Sequence, residues 1–136
     1  MTADPQHFAD DDFCYLTTTG RVTGRPHTIE IWFALDGRTL YMLAGGRDGA
    51  DWVKNLRRAP DVAVRLGTVT FQGRARLVDR AEEDALARKL VVEKYQPRDS
   101  DDLSSWGRTA LPVAVDLMAE IATGSARPPA PVRPPA

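Results

Sequence analysis

Between Phe13 and Ala44 the chain has room only for antiparallel strands. Three stretches rich in aromatic and β-branched residues, Phe13–Thr19 (FCYLTTT), His27–Ala34 (HTIEIWFA) and Thr39–Ala44 (TLYMLA), follow one another across short gaps. A parallel pairing needs a crossover of about a dozen residues or more, so these neighbours must pair as hairpins. Gly20 and Gly24 supply positive φ for the first reversal, and Pro26 leaves it extended. Asp36-Gly37 marks the second reversal. Within the second stretch Ile29 and Ile31 alternate with Glu30 and Trp32, the period of a strand with two distinct faces.

The pattern then changes. Gly45-Gly46-Arg47-Asp48-Gly49 breaks the sheet, and a helix is expected from about Ala50 to Arg58, with Asp48 as its cap and Pro60 as its stop. Trp52, Val53 and Leu56 form its inner face; Lys54, Arg57 and Arg58 look outward. Val62–Leu66 and Thr68–Val78 read as strands flanking Gly67. Residues 81–95 carry Leu86, Ala87, Leu90, Val91 and Tyr95 at helical spacing. Gln96–Asp102 reads as a charged loop and Leu111–Met118 as a last strand. The order predicts a mainly β fold with two main helices: a small antiparallel barrel of about six strands, closed or half-open, with helices at its openings. Residues 1–12 read as a flexible lead-in, 13–122 as the folded domain, and 123–136, rich in proline, alanine and arginine, as a disordered tail.

Composition narrows the partners. A formal charge of −1 gives no general attraction to nucleic acid or acidic membranes, and the basic face at Lys54, Arg57 and Arg58 lacks interleaved aromatics. Cys14 is the only cysteine, which suits a reducing cytoplasm, and its neighbours suggest a packed thiol. No apolar run approaches the roughly 18 residues of a membrane span, and the polar, acidic start is unlike a secretory signal. His7, His27 and Cys14 share no ligand spacing, so no metal site is expected. Nucleophile elbows of the Gly-x-Ser-x-Gly type and phosphate loops ending in Gly-Lys-Ser/Thr are absent.

Two segments remain as candidates for chemistry. Arg21, Arg25 and His27 surround the first turn, where side-chain charge beside free turn amides makes either an anion clamp or a solvated basic turn. The glycine loop adds Arg47 and a helix N-terminus, although Asp48 and Asp51 sit at the same helix start. Because strands two and three pair through Asp36-Gly37, the His27 end of one must face the Ala44 end of the other. The turn and the loop therefore converge on one rim. Trp32, between them, offers either a flat stacking face or core packing.

Leu16-Thr17-Thr18-Thr19-Gly20-Arg21-x-Thr23-Gly24-x-Pro26 resembles the opening of the deazaflavin-dependent nitroreductase family, split β-barrel proteins related to pyridoxamine-phosphate oxidases. The likeness continues through the Asp-Gly hairpin, Ala44 to Gly49, Trp52-x-x-Asn55-Leu56 and Ala59-Pro60-x-Val62-x-Val64, and reappears from Ser105 to Val113. It implies binding of coenzyme F420 and hydride transfer to a small electron-poor acceptor: a quinone, enone or nitro compound. On the matching positions it implies that Arg21, Arg25, His27 and Arg47 border the phosphate and acidic tail. Glu30, Trp32, Ala44, Gly45, Gly46 and Trp52 would lie near the ring, and Tyr95 and Trp106 would bound the acceptor pocket. Val22 stands where members often carry lysine, and His27 where arginine is common. An FMN-binding barrel is the alternative, as is a non-catalytic binder of haem, lipid or coenzyme. Related split barrels often pair as homodimers, and the same is expected here.

Overall fold

In the computed structural model, which describes residues 4–121, the alternating stretches become strands as their period predicts. β1 (Cys14–Thr19), β2 (Pro26–Ile31), β3 (Ala34–Asp36), β4 (Thr39–Ala44), β5 (Asp61–Leu66), β6 (Val69–Leu77) and β7 (Leu111–Glu120) form one sheet. Their order is β2-β1-β5-β6-β7-β4-β3, every pair antiparallel. The sheet curls into a half-barrel, as expected of a split barrel, and three helices complete it: α1 (Asp51–Arg58), α2 (Ala81–Tyr95) and α3 (Ser104–Thr109).

The two edge strands are halves of one stretch. β2 pairs with β1 and β3 with β4, and only Trp32 and Phe33 lie between them. The single strand expected over 27–34 is therefore bent, and it changes partner at the bend. Counted as one, the halves give the six strands that the sequence predicts. Backbone groups at such a break need other partners. Phe33 finds both on α2: its N–H donates to the Tyr95 hydroxyl (3.0 Å), and its carbonyl accepts from Lys94 Nζ (3.0 Å).

Apolar residues fill both sides of one wall. Leu16, Phe33, Leu40, Met42, Val64 and Phe71 point into the barrel, where Trp52, Val53 and Leu56 of α1 meet them. Tyr41, Leu43 and Ala114 lie on the outer face under Ala87, Val91 and Tyr95 of α2. Double-sided burial explains why β4 reads as a continuous apolar run while β1 and β2 alternate. Burial also pushes the Cys14 thiol up to about 12, the mark of an inert, packed cysteine.

Several elements differ from expectation. Asp48 does not cap α1; it lies in a 3-10 turn, Arg47–Gly49, and the helix begins after Ala50 without a side-chain cap. α3 was not anticipated, because six residues containing Gly107 carry little helical signal. It forms because it packs on α2: a Cβ at Gly107 would fall 2.6 Å from Val92 Cγ2. The lead-in has local structure of its own over its described residues. Pro5–Phe8 form a 3-10 turn, and Phe8 lies against Gly67, where a Cβ would stand 2.8 Å from its ring. Asp12 is tied down by Tyr95, whose hydroxyl donates to its carbonyl (2.9 Å), and by Arg98 (2.8 Å to Oδ1). The expected disordered tail, 123–136, lies outside the described residues.

Two features of this frame are open to test. Gly73 sits beside the irregularity in the β6–β7 ladder, and a Cβ there would stand 2.4 Å from Val115 Cγ1. Gly73→Ala should lower unfolding free energy by roughly 1–3 kcal/mol, as overpacking does. Val115→Ala in the same chain should restore part of that loss in a denaturant titration. On the outer wall Arg76 grips Glu83 (2.6 and 2.8 Å) and Asp116 (2.8 Å), while the Tyr41 hydroxyl donates to Glu83 (2.7 Å). These bonds, those of Arg76 foremost, hold the Glu83 carboxyl at about 2, below its ordinary 4.5. A depressed carboxylate stabilises the fold fully above its unfolded value and loses that effect as pH falls through the folded one. Glu83→Gln should therefore melt earlier than wild type at pH 7, and the gap should close between about pH 4.5 and 2.

Candidate functional site

The reversal between β1 and β2 is held mainly by its own hydrogen bonds. Gly20 N–H donates to the Arg25 carbonyl (2.7 Å), Gly24 N–H to the Gly20 carbonyl (2.8 Å), and Arg25 N–H to Thr23 Oγ1 (3.2 Å). Gly24 has φ +73°, where glycine is at ease. His27 folds over Gly20, so that a Cβ there would lie 2.6 Å from Nε2. Arg21 turns towards α1 instead of solvent. Its N–H donates to Asn55 Oδ1 (3.2 Å), Nη1 to the same oxygen (2.9 Å), and Nη2 to Asp51 Oδ1 (3.1 Å). The turn amides of Gly20, Arg21, Gly24 and Arg25 are thus engaged internally, contrary to the expectation of free amides.

The glycine loop follows β4 directly. Ala44 is buried in the barrel, whereas Gly45, Gly46 and Arg47 are exposed. Arg47 adopts φ +54°, a left-handed conformation that non-glycine residues seldom take outside functional or tightly determined sites. Its guanidinium donates to the Thr109 carbonyl at the end of α3. The loop is therefore tied to α3 on one side and, through Asp51, to Arg21 on the other. The basic turn and the glycine loop meet at one end of the barrel.

Aromatic residues cluster on the outer wall. Trp32, at the bend between β2 and β3, stacks on Tyr95 (centroids 4.3 Å, planes 3° apart) and meets Trp106 edge-on at 5.7 Å. Tyr95 is only 2% exposed, and burial pushes its hydroxyl pKa upward, so the phenol keeps its proton and serves Phe33 and Asp12. Glu30 shares the outer face of β2, where it accepts from the Tyr15 hydroxyl (3.2 Å). Trp52 is buried within the barrel core. Of the residues singled out from sequence, Arg21, Gly45, Gly46 and Arg47 lie along one connected rim, with Arg25 in the turn and His27 at the start of β2. Trp32, Tyr95 and Trp106 form a second group, joined to the first through Arg47 and Thr109.

An open groove of about 490 Å³ lies against the turn, lined by Thr19 to Gly24 together with Arg58 and Ala59. Two guanidinium groups line it and suit an anion: Arg21 is fixed in place, and Arg58 reaches it from the end of α1. Sequence reasoning missed two members of this arrangement. In sequence Arg58 reads as one of several solvated helix cations. Asn55, 5% exposed, has no assigned role in the sequence reading, although it is a polar residue on the apolar stripe of Trp52, Val53 and Leu56. A buried amide on such a stripe needs bonding partners. That need was the available signal.

Comparison with known proteins agrees with this architecture. An F420-H2 dependent reductase superposes with a TM-score of 0.63 at 22% identity, over 79% of this chain and 95% of that one. A protein from Listeria innocua provisionally assigned as a pyridoxamine 5'-phosphate oxidase gives 0.63 at 16% identity, over 84% and 90%. A third structure, described as a domain-swapped dimer, gives 0.64 at 23% identity, over 80% and 81%. At such identities the likeness speaks for the split-barrel fold alone. The sequence match is more specific: residues 5–118 match the F420H(2)-dependent quinone reductases across the whole barrel. The chain belongs to the F420H(2)-dependent quinone reductase family, oxidoreductases whose coenzyme is F420.

Proposed function

We propose that this chain binds the anionic part of F420 along the rim between the basic turn and the glycine loop, and reduces a small electron-poor acceptor. A quinone is the first choice of acceptor, with enones and nitro compounds in the same class. One observation carries the reading: Arg21, bonded to Asp51 and Asn55, joins the turn to the loop's helix and presents a fixed guanidinium beside the groove.

Each residue has a defined task. Arg21, Arg25, His27 and Arg47 hold phosphate and acidic tail, because charge-assisted bonds are the strong ones. Gly45 and Gly46 let the backbone approach the coenzyme closely, and Ala44 ends the buried strand from which they start. Trp52 anchors α1 in the barrel interior, and with it Asp51 and Asn55. Trp32 and Trp106 bound the acceptor, with Tyr95 stacked behind Trp32 and Glu30 on the same outer face of β2. Bound F420 supplies the hydride from its reduced deazaflavin ring. The protein's own work is position and electrostatics. The lone, buried Cys14 supports a reducing cytoplasm as the setting. The domain-swapped structural relative supports pairing into a homodimer.

Titrating the purified protein with F420 and with FMN, then following menadione reduction, tests this reading. F420 should bind and support turnover, and FMN should bind far more weakly; the reverse order would refute the assignment. Arg21→Ala and Arg47→Gly should each weaken F420 binding about tenfold to a hundredfold, the worth of a charged hydrogen bond. Glycine is the informative choice at position 47, since it accepts φ +54° without strain. A loss of affinity there reports on the guanidinium.

A further inference from the structure

We propose that Asn55 is a positioning residue for coenzyme binding: its buried, uncharged amide fixes Arg21 in advance without cancelling the charge of Arg21. The inference rests on the reading of Arg21 as an F420 anchor.

Asn55 lies in the second turn of α1, on the face that enters the barrel, and is 5% exposed. Its Oδ1 accepts twice from Arg21, from the main-chain N–H (3.2 Å) and from Nη1 (2.9 Å). Its Nδ2 donates to Thr18 Oγ1 (3.3 Å), and Thr18 is itself buried near the end of β1. One side chain thus holds the last inward residue of the strand, the first arginine of the turn, and that arginine's guanidinium. Holding a long side chain in its bound geometry beforehand removes an ordering cost that the ligand would otherwise meet.

Charge decides why the residue is asparagine. Asp51 also touches Arg21, but its side chain is 85% exposed, and water screens its effect on the guanidinium. A carboxylate at position 55 would accept the same two bonds from a buried site, where the opposing charge is felt more strongly. The clamp would be as firm, yet the field offered to an anion would be weaker. An amide separates the two effects.

Four variants test this, each checked by a thermal melt and titrated with F420: Asn55→Ala, Asn55→Asp, Arg21→Ala and the double Arg21→Ala/Asn55→Ala. Asn55→Ala should weaken F420 binding about tenfold when Arg21 is present. In the Arg21→Ala background the same change should cost less than about twofold, since coupled residues are non-additive. Asn55→Asp keeps every contact, because the Thr18 hydroxyl can turn to donate. It should melt no lower than wild type, yet bind F420 about tenfold more weakly and with a shallower salt dependence. Equal losses in both backgrounds, or wild-type affinity in Asn55→Asp, would overturn the proposal. If Asn55→Ala does not fold, Asn55→Asp decides alone. Undiminished binding in Arg21→Ala would instead overturn the placement of the coenzyme, a different failure with a different signature.

Discussion

The structure depends on how one strand is allowed to change partner. β2 runs beside β1 and, two residues later, β3 runs beside β4. A kinked strand leaves main-chain groups out of the ladder, and buried ones must be satisfied elsewhere. Both groups of Phe33 are satisfied by consecutive residues of α2, Lys94 and Tyr95. Half-buried Lys94 is unusually placed for a lysine: its ammonium sits 3.6 Å from the Phe33 ring centroid, and burial, followed by the charge of Arg98, draws its pKa down to about 8. The Tyr95 hydroxyl both accepts from Phe33 and donates to Asp12, so the same phenol closes the barrel and pins the lead-in. The second helix is therefore part of the closure.

The bend also bears on the proposed coenzyme rim. The basic turn lies at the start of β2, away from the bend, and the glycine loop at the end of β4. α1 then does at this rim what α2 does at the bend. It enters the barrel with Trp52, Val53 and Leu56, and offers polar groups from the same helix to a neighbouring loop. Arginine at position 21 is fixed by buried Asn55 and by exposed Asp51, and its own side chain remains 31% exposed. A fixed, partly exposed cation beside a groove is what an anionic coenzyme requires, and a freely waving one would bind it less tightly.

Periodicity carried most of the fold into the sequence, and what it could not carry has a common cause. α2 was legible because Leu86, Ala87, Leu90, Val91 and Tyr95 recur at helical spacing. The bend at Trp32 and Phe33 was not, because apolar residues continue through it without a glycine or proline. Its determinants are Lys94 and Tyr95, about sixty residues away. α3 was hidden for the same reason, since its fit against Val92 is a tertiary fact. At the site, charge was readable and its restraint was not. Arg21 was conspicuous; that Asn55 holds it, and that the amides of Gly20, Arg21, Gly24 and Arg25 are already engaged, follows only from the folded chain.

Tyr95 shows how the two halves of the molecule constrain each other. Its ring lies flat against Trp32 while its hydroxyl is committed to the bend. The proposed acceptor face thus shares a residue with the closure of the barrel. A phenylalanine there would keep the stack but orphan the buried Phe33 N–H, and a smaller residue would also remove the backing of Trp32. Variation in acceptor preference must therefore come from elsewhere around this cluster. Trp106 is the freer position, because it meets Trp32 only by its edge and sits on a short helix tied to the glycine loop through Thr109 and Arg47. That tie puts α3 in contact with both the aromatic group and the cationic rim. A change in α3 is then felt on the acceptor side and the coenzyme side together, whereas a change in β2 beyond the bend is felt first in the sheet.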